Sequence, residues 1–172
     1  MLRSGWVTPA GAVIRGLAAG AVGTAAMDLV QYAEERLGGG QTPFRDWEFG
    51  GVDGWDGAPA PAQVGKRLVE GLFQTRLPDD RANLVNNVMH WGYGIAWGAA
   101  FGILAGSARS PRSRWGPPFG ATVWLSGYAV LPATGLYEPL WKYDVGTLAK
   151  DLAHHLVYGT ATASAFSAPC SR

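Results

Sequence analysis

The 172-residue chain holds one cysteine, Cys170, two positions from its last residue. No disulfide can form within it, so nothing in its fold depends on an oxidising compartment. Charge is also scarce: Asp, Glu, Lys and Arg make up 16% of the residues, where a soluble domain carries about 25%. The net charge of +1 supplies no basic face, which excludes a general nucleic-acid binder. The usual signatures of catalysis are missing. There is no HExxH and no CxxC, no GxGxxG after a strand pattern, and no GxxxxGK followed by Ser or Thr. No GxSxG elbow is present, and Asp53 and Asp56 are too few and too close for a calcium loop. The residues make no case for an enzyme, a cofactor or a metal centre.

Glycine, by contrast, is abundant, with 25 residues, and there are 8 tryptophans. Gly94, Gly98, Gly102 and Gly106 stand at strict four-residue spacing inside an apolar run from Leu84 to Gly106. On a helix they form a single stripe without side chains. In water each interior glycine costs roughly 1 kcal/mol relative to alanine. In lipid the stripe is useful, because bare backbone lets a second helix approach closely.

Four segments reach the length of about 20 helical residues that a bilayer requires: 9–37, 78–106, 116–136 and 144–168. Thr8 is a natural N-cap for the first, with Pro9 at its first helical position. Pro78, Asp79 and Asp80 suit the start of the second. None is a clean Leu-rich span, since Asp28, Asn86, Asn87, His90, Asp151, His154 and His155 interrupt them. A soluble helical bundle is the competing reading.

Charge placement favours the membrane. The link 107–115 carries Arg109, Arg112 and Arg114 and no acid, Arg3 and Arg15 lie at the N-terminal side, and the chain ends in Arg172. The connection from Glu34 to Arg81 holds nine acids against six bases. The positive-inside rule then puts both termini in the cytoplasm, with Trp6 and Trp115 at the inner interface and Tyr32, Trp91, Tyr137 and Trp141 near the outer one. A rival reading makes Arg3 to Ala26 a cleaved secretory signal, but the helical pattern continues through Leu29, Tyr32 and Ala33.

The second and fourth segments resemble each other. His90-Trp91-Gly92-Tyr93-Gly94 aligns with His155-Leu156-Val157-Tyr158-Gly159 at an offset of 65, which also pairs Asn86 with Asp151 and Phe101 with Phe166. The first and third match at an offset of 100, pairing Gly16 and Gly20 with Gly116 and Gly120. Two helical hairpins related by a pseudo-twofold axis along the membrane normal follow from this, as in parallel-repeat transporters. In that arrangement Gly94 and Gly159 bring the second and fourth helices together near the axis, and the 98–106 stripe extends the contact.

The connection 38–77 begins as glycine-rich loop and then predicts a short helix after Pro59 and Pro61. Val64, Leu68, Leu72 and Phe73 fall on one face of it, which suits either a cap on the bundle or a helix lying in the outer interface. Trp47, Phe49 and Trp55 are candidate anchors for the loop.

Ionisable residues at membrane depth are costly and face the protein interior or a wet cavity. Asp28, His90, Asp151, His154, His155 and Tyr158 form the candidate polar cluster. Asp151, His155 and Tyr158 share a helix face, while His154 points about 100° away. The sharper expectation brings His90 and His155 together across the axis, with Asp28 or Asp151 as partner, as a proton relay. The plainer one has the histidines fixing helix packing by hydrogen bonds. A metal is poorly served, because adjacent His154 and His155 cannot both aim at one ion from a regular helix.

Leu131-Pro132-Ala133-Thr134-Gly135-Leu136-Tyr137-Glu138-Pro139-Leu140-Trp141, followed by Asp151-Leu152-Ala153-His154-His155-Leu156-Val157-Tyr158-Gly159, resembles the YagU-like family of bacterial inner-membrane proteins. Gly16 to Asp28 and Pro59 to Val64 fit the same pattern. The resemblance implies a small multi-span protein of the bacterial inner membrane, without a settled activity and without catalytic residues to carry over.

The combined expectation is an all-α fold: an integral membrane four-helix bundle, one domain over 1–172, with a pseudo-twofold hairpin repeat and an extracytoplasmic loop bearing a short amphipathic helix. Its partners are the lipid bilayer and a second copy or another membrane protein. The expected role is a structural or accessory component packing through its glycine stripes. The alternative is a small proton- or ion-linked transporter or channel.

Overall fold

The structure, a computed structural model, describes residues 8–107 and 112–168. Arg3, Trp6, Arg109, Cys170 and Arg172 lie outside them. The described residues are helical and contain no strand. Four long helices, α1 (Pro9–Leu37), α4 (Ala82–Ser107), α5 (Gly116–Val130) and α6 (Val145–Ser167), are joined by loops carrying α2 (Phe44–Phe49) and α3 (Ala60–Phe73). One of them, α1, is long and apolar enough to cross a membrane.

The chain's own signals place these helices. Thr8 caps α1, its Oγ1 accepting from the Gly11 N–H at 3.1 Å with Pro9 at the first position. Asp144 caps α6 by accepting from the Thr147 N–H at 2.9 Å. The third segment is shorter than expected. Helix α5 ends at Val130, and Leu131–Thr134 tightens into a 3-10 turn that Gly135 closes with φ +69°. Pro132 explains the change: it has no N–H to continue the α-helical ladder.

The long helices pack as a row, α4 against α1, α1 against α6 and α6 against α5. Aromatic side chains complete the circuit from α4 to α5: Phe119 meets Trp97 at 6.1 Å and Phe101 at 4.8 Å between ring centroids. Phe166 joins them edge-on, 5.6 Å from Phe101.

Glycine backbone sets two of the contacts. Where α1 crosses α4, a Cβ on Gly20 would lie 2.6 Å from the Gly94 carbonyl oxygen and 2.9 Å from the Gly98 Cα. One on Gly102 would lie 2.9 Å from the Gly16 Cα. Where α5 crosses α6, a Cβ on Gly159 would lie 2.5 Å from the Gly120 nitrogen, and one on Gly116 would lie 2.8 Å from the Thr160 Cα. Real Cβ atoms do not come this close, so these positions admit only glycine without separating the helices.

This corrects the expected partners. Gly94 and Gly159 do not face each other: Gly94 meets Thr24 of α1 and the Tyr158 ring, while Gly159 meets the backbone of Gly116 and Gly120 on α5. The stripe Gly94–Gly98–Gly102 lies on α1, where Gly16 and Gly20 repeat its spacing, and Gly106 adds a contact to Ala12 there. Gly159 lies on α5. Gly98 therefore plays on α1 the part that Gly159 plays on α5, at an offset of 61 and one helical turn from the 65 that residue identity suggested. Backbone approach, and not the likeness of the HWGYG and HLVYG strings, sets the register.

Helix α3 docks on α4 by its small residues, so its large apolar face is not the one that caps the bundle. Ala62 and Gly65 are buried, and Gly65 sits against Val85 and Met89. Leu68, Leu72 and Phe73 point outward, Phe73 being 71% exposed. The small residues win because they let the two helix backbones come close. Trp55 pins the preceding loop: it is buried with Ala62 and Ala82, and its indole N–H donates to the carbonyls of Leu77 (3.1 Å) and Pro78 (3.2 Å). Lys66 sits 5.0 Å over its ring. Trp47 instead packs with Tyr32 and Phe44 on α2, and Phe49 is exposed.

Candidate functional site: polar clusters at one end of the helices

All the interrupting polar groups gather at the end of the helices that carries α2 and α3, but they form separate clusters. Asp28 on α1 is 3% exposed, and its Oδ1 lies 2.8 Å from His90 Nε2 on α4. Next to His90, the Trp91 indole N–H donates to Glu48 Oε1 on α2 at 2.9 Å. Burial, the largest influence, and the nearby Asp28 charge push the Glu48 carboxyl above the usual glutamate range, against the pull of the Trp91 N–H.

The second cluster joins α5 to α6. Tyr128 Oη donates to Asp151 Oδ2 at 2.9 Å. His155 Nδ1 lies 2.8 Å from the Asp151 carbonyl, one turn earlier, and 3.4 Å from Asp151 Oδ1. Tyr137 and Tyr143 pack on Tyr128, 5.3 and 5.4 Å between centroids. Burial and the Asp151 charge raise the Tyr137 phenol, keeping it neutral.

The third cluster faces solvent. Glu34 on α1 pairs with Lys150 at 2.9 Å and with buried His154 at 3.1 Å, both on α6. These three, with Gln31, Glu35 and Trp47, line an open cavity of about 380 Å³. Deeper inside, Tyr158 is 2% exposed and its hydroxyl donates to the Gly94 carbonyl at 2.6 Å, tying α6 to α4.

The structure thus places all six predicted polar residues at or near the interior but does not unite them. His90 reaches across to Asp28 on α1, whereas His155 stays with Asp151 on its own helix. His154 turns to α1 and His155 to Asp151, following their 100° separation. Among the described residues, no three His, Cys, Asp or Glu side chains gather closely enough to hold a metal ion.

No family model, curated protein or solved structure matches the chain. The residues themselves carry the reading.

Three partners were not foreseen from sequence. Glu48 and the Glu34–Lys150 pair left no local signal. Tyr128 did: it stands at the same offset of 100 from Asp28 that relates Gly20 to Gly120, and Asp151 stands 61 from His90. The Tyr128–Asp151 bond on α5 and α6 therefore occupies the place of the Asp28–His90 bond on α1 and α4.

The Asp28–His90 pair makes a direct prediction. His90→Leu strands a buried carboxylate and is expected to destabilise by about 1–3 kcal/mol. Adding Asp28→Asn should recover part of the loss, since neighbours sharing one interaction are not additive. Thermal unfolding in detergent measures both, and an unchanged midpoint for His90→Leu would count against the pair.

Proposed function

We propose that the chain is a multi-pass helical protein of the bacterial inner membrane, a YagU-like four-helix bundle with cytoplasmic termini, acting as a structural or accessory component. The observation that carries this is how side chains sort between inside and outside. The interior faces hold Ala12, Gly16, Gly20, Gly94, Gly98, Gly159 and a few aromatic rings. The outward faces hold Ile14, Val22, Leu29, Val88, Ile103, Leu104 and Leu125, with Leu104 71% exposed. In water the branched aliphatics are among the residues most often buried. In hydrocarbon nothing drives them inward, and small residues take the helix contacts. The outward Leu68, Leu72 and Phe73 of α3 suit a helix lying in the outer interface.

The matched pairs α1–α4 and α5–α6, with their equivalent glycine crossings and equivalent polar bonds, support a pseudo-twofold hairpin repeat. Helix α5 is the short member: its 15 residues give roughly 22 Å of helix, against a hydrocarbon core of about 30 Å. The 3-10 turn at Leu131–Thr134 lengthens that span. Lipid is the first partner, and a second copy or another membrane protein is the next.

A second reading, a small proton- or ion-linked transporter, draws on buried Asp28, whose Oδ2 has no hydrogen-bond partner. The opposite half of the helices favours the first reading, because Phe101, Phe119, Phe166 and Tyr158 fill the centre.

Alkaline carbonate washing of cell membranes tests the proposal. The protein is expected to remain in the pellet and to be released by detergent alone. Recovery of a stable monomer from a detergent-free extract would overturn it. Flux assays in proteoliposomes, with and without a pH gradient, are expected to show no transport above empty vesicles.

A further inference from the structure

Charge divides this molecule by end. No Asp or Glu stands anywhere in residues 1–27, 81–137 or 152–172. Between them these stretches make up the whole end of the helices opposite α2 and α3. That end holds arginines instead: Arg15 on α1, and Arg112 and Arg114 in the turn before α5. Arg15 and Arg112 are half-buried and turn to one ring. The Arg15 Cζ lies 5.4 Å and the Arg112 Cζ 5.8 Å from the centroid of Phe166. Phe166 is fully buried and held edge-on by Phe101, so it fixes where both guanidinium groups sit.

Two like charges drawn to one ring repel each other, and this end has no carboxylate to set between them. Arg15 gives an N–H to the Ala168 carbonyl at the end of α6, which leaves most of its donor fork for an anion. Such a fork matches a phosphate through paired N–H bonds. At the same end, Ile14 and Leu17 on α1 and Leu104 on α4 face outward.

We propose that Arg15 and Arg112 together hold the phosphate of an anionic phospholipid, whose acyl chains run along Ile14, Leu17 and Leu104. The proposal rests on the membrane reading and adds to it the class of lipid and the residues that select it. A zwitterionic lipid carries its own cation beside the phosphate, so it neutralises the arginine pair less well.

Thermal unfolding of the full chain in a neutral detergent, titrated with phosphatidylglycerol, phosphatidylcholine or inorganic phosphate, tests it. Phosphatidylglycerol is expected to raise the midpoint by roughly 2–4 °C, since it binds the folded chain. Phosphatidylcholine and inorganic phosphate are expected to give less than half that shift. Arg112→Gln is expected to bring the phosphatidylglycerol response down to the phosphatidylcholine level. Arg15→Gln is expected to do the same, and it carries the test if Arg112→Gln does not fold. Arg76→Gln, in the exposed loop before α4 at the opposite end, is expected to keep the full response. Equal shifts with the two lipids, or arginine variants at 15 and 112 that respond like the wild type, would overturn the site, while carbonate washing decides the membrane reading separately. An equal shift with inorganic phosphate would overturn the lipid as its occupant.

Discussion

Gly98→Leu is expected to abolish the folded protein, whereas Gly92→Leu, six residues earlier on the same helix, is expected to leave it intact. A side chain at position 98 runs into the carbonyl oxygen of Gly16 and the backbone of Gly20. Overpacking a core that can relax costs about 1–3 kcal/mol. Here the neighbours are main chain, with no rotamer to change, so α1 and α4 must separate along their whole contact. A loss above about 3 kcal/mol follows, a large share of the roughly 5–15 kcal/mol that holds a domain folded. Gly159→Leu should behave in the same way through the Gly120 backbone. At Gly92 and Gly127 a Cβ meets nothing within 4 Å, so leucine there faces outward. Thermal unfolding of the four variants in detergent makes the comparison. Equal midpoints for Gly98→Leu and Gly92→Leu would show that the crossing does not hold the helices together.

The second large effect is expected at Tyr158. Its ring lies 5.8 Å from Phe119 on α5, beside Gly23 on α1, and its hydroxyl reaches the Gly94 carbonyl on α4. One side chain on α6 thus touches all three other long helices. Tyr158→Ala opens a cavity at that junction and is expected to cost about 3–5 kcal/mol. Tyr158→Phe keeps the ring and removes one hydrogen bond, for about 1 kcal/mol. The gap between the two variants separates packing from hydrogen bonding. If phenylalanine proved as damaging as alanine, the hydroxyl and not the ring would be the part that matters.

The start of α1 was legible because Thr8 and Pro9 act on its own first turn, and local chemistry reads directly from local sequence. The glycine stripe was legible as a contact surface for a similar reason, since four-residue spacing defines one side of a helix whatever lies against it. Its partner was not. Gly16 and Gly20 repeat the spacing and receive it, whereas the HWGYG likeness to the fourth segment points to α6. Side-chain likeness and backbone contact are different constraints, and they differ here by one turn. The amphipathic face of α3 was legible, but which of its two sides meets α4 was not: Ala62 and Gly65 take the contact and Leu68, Leu72 and Phe73 stay outward. Glu48 was invisible as a partner of Trp91, since a position 43 residues away carries no periodicity to place it.

The split of the polar residues has a consequence for mechanism. A relay across the axis needs His90 and His155 in one cluster, and each instead has its own partner on its own helix pair. What remains shared is position, since all three clusters lie at the end bearing α2 and α3. Chemistry in this protein is therefore expected at that end, while the opposite half serves packing.

The most direct test of the central claim, that hydrocarbon surrounds these helices, is the environment of outward-facing positions in a bilayer. Spin labels on single cysteines at Val22, Leu104 and Leu125, in a Cys170→Ser background in lipid vesicles, report it by relaxation with oxygen against a water-soluble nickel chelate. The account predicts that oxygen dominates at all three positions. Dominant relaxation by the nickel chelate at all three would place these side chains in water and contradict it.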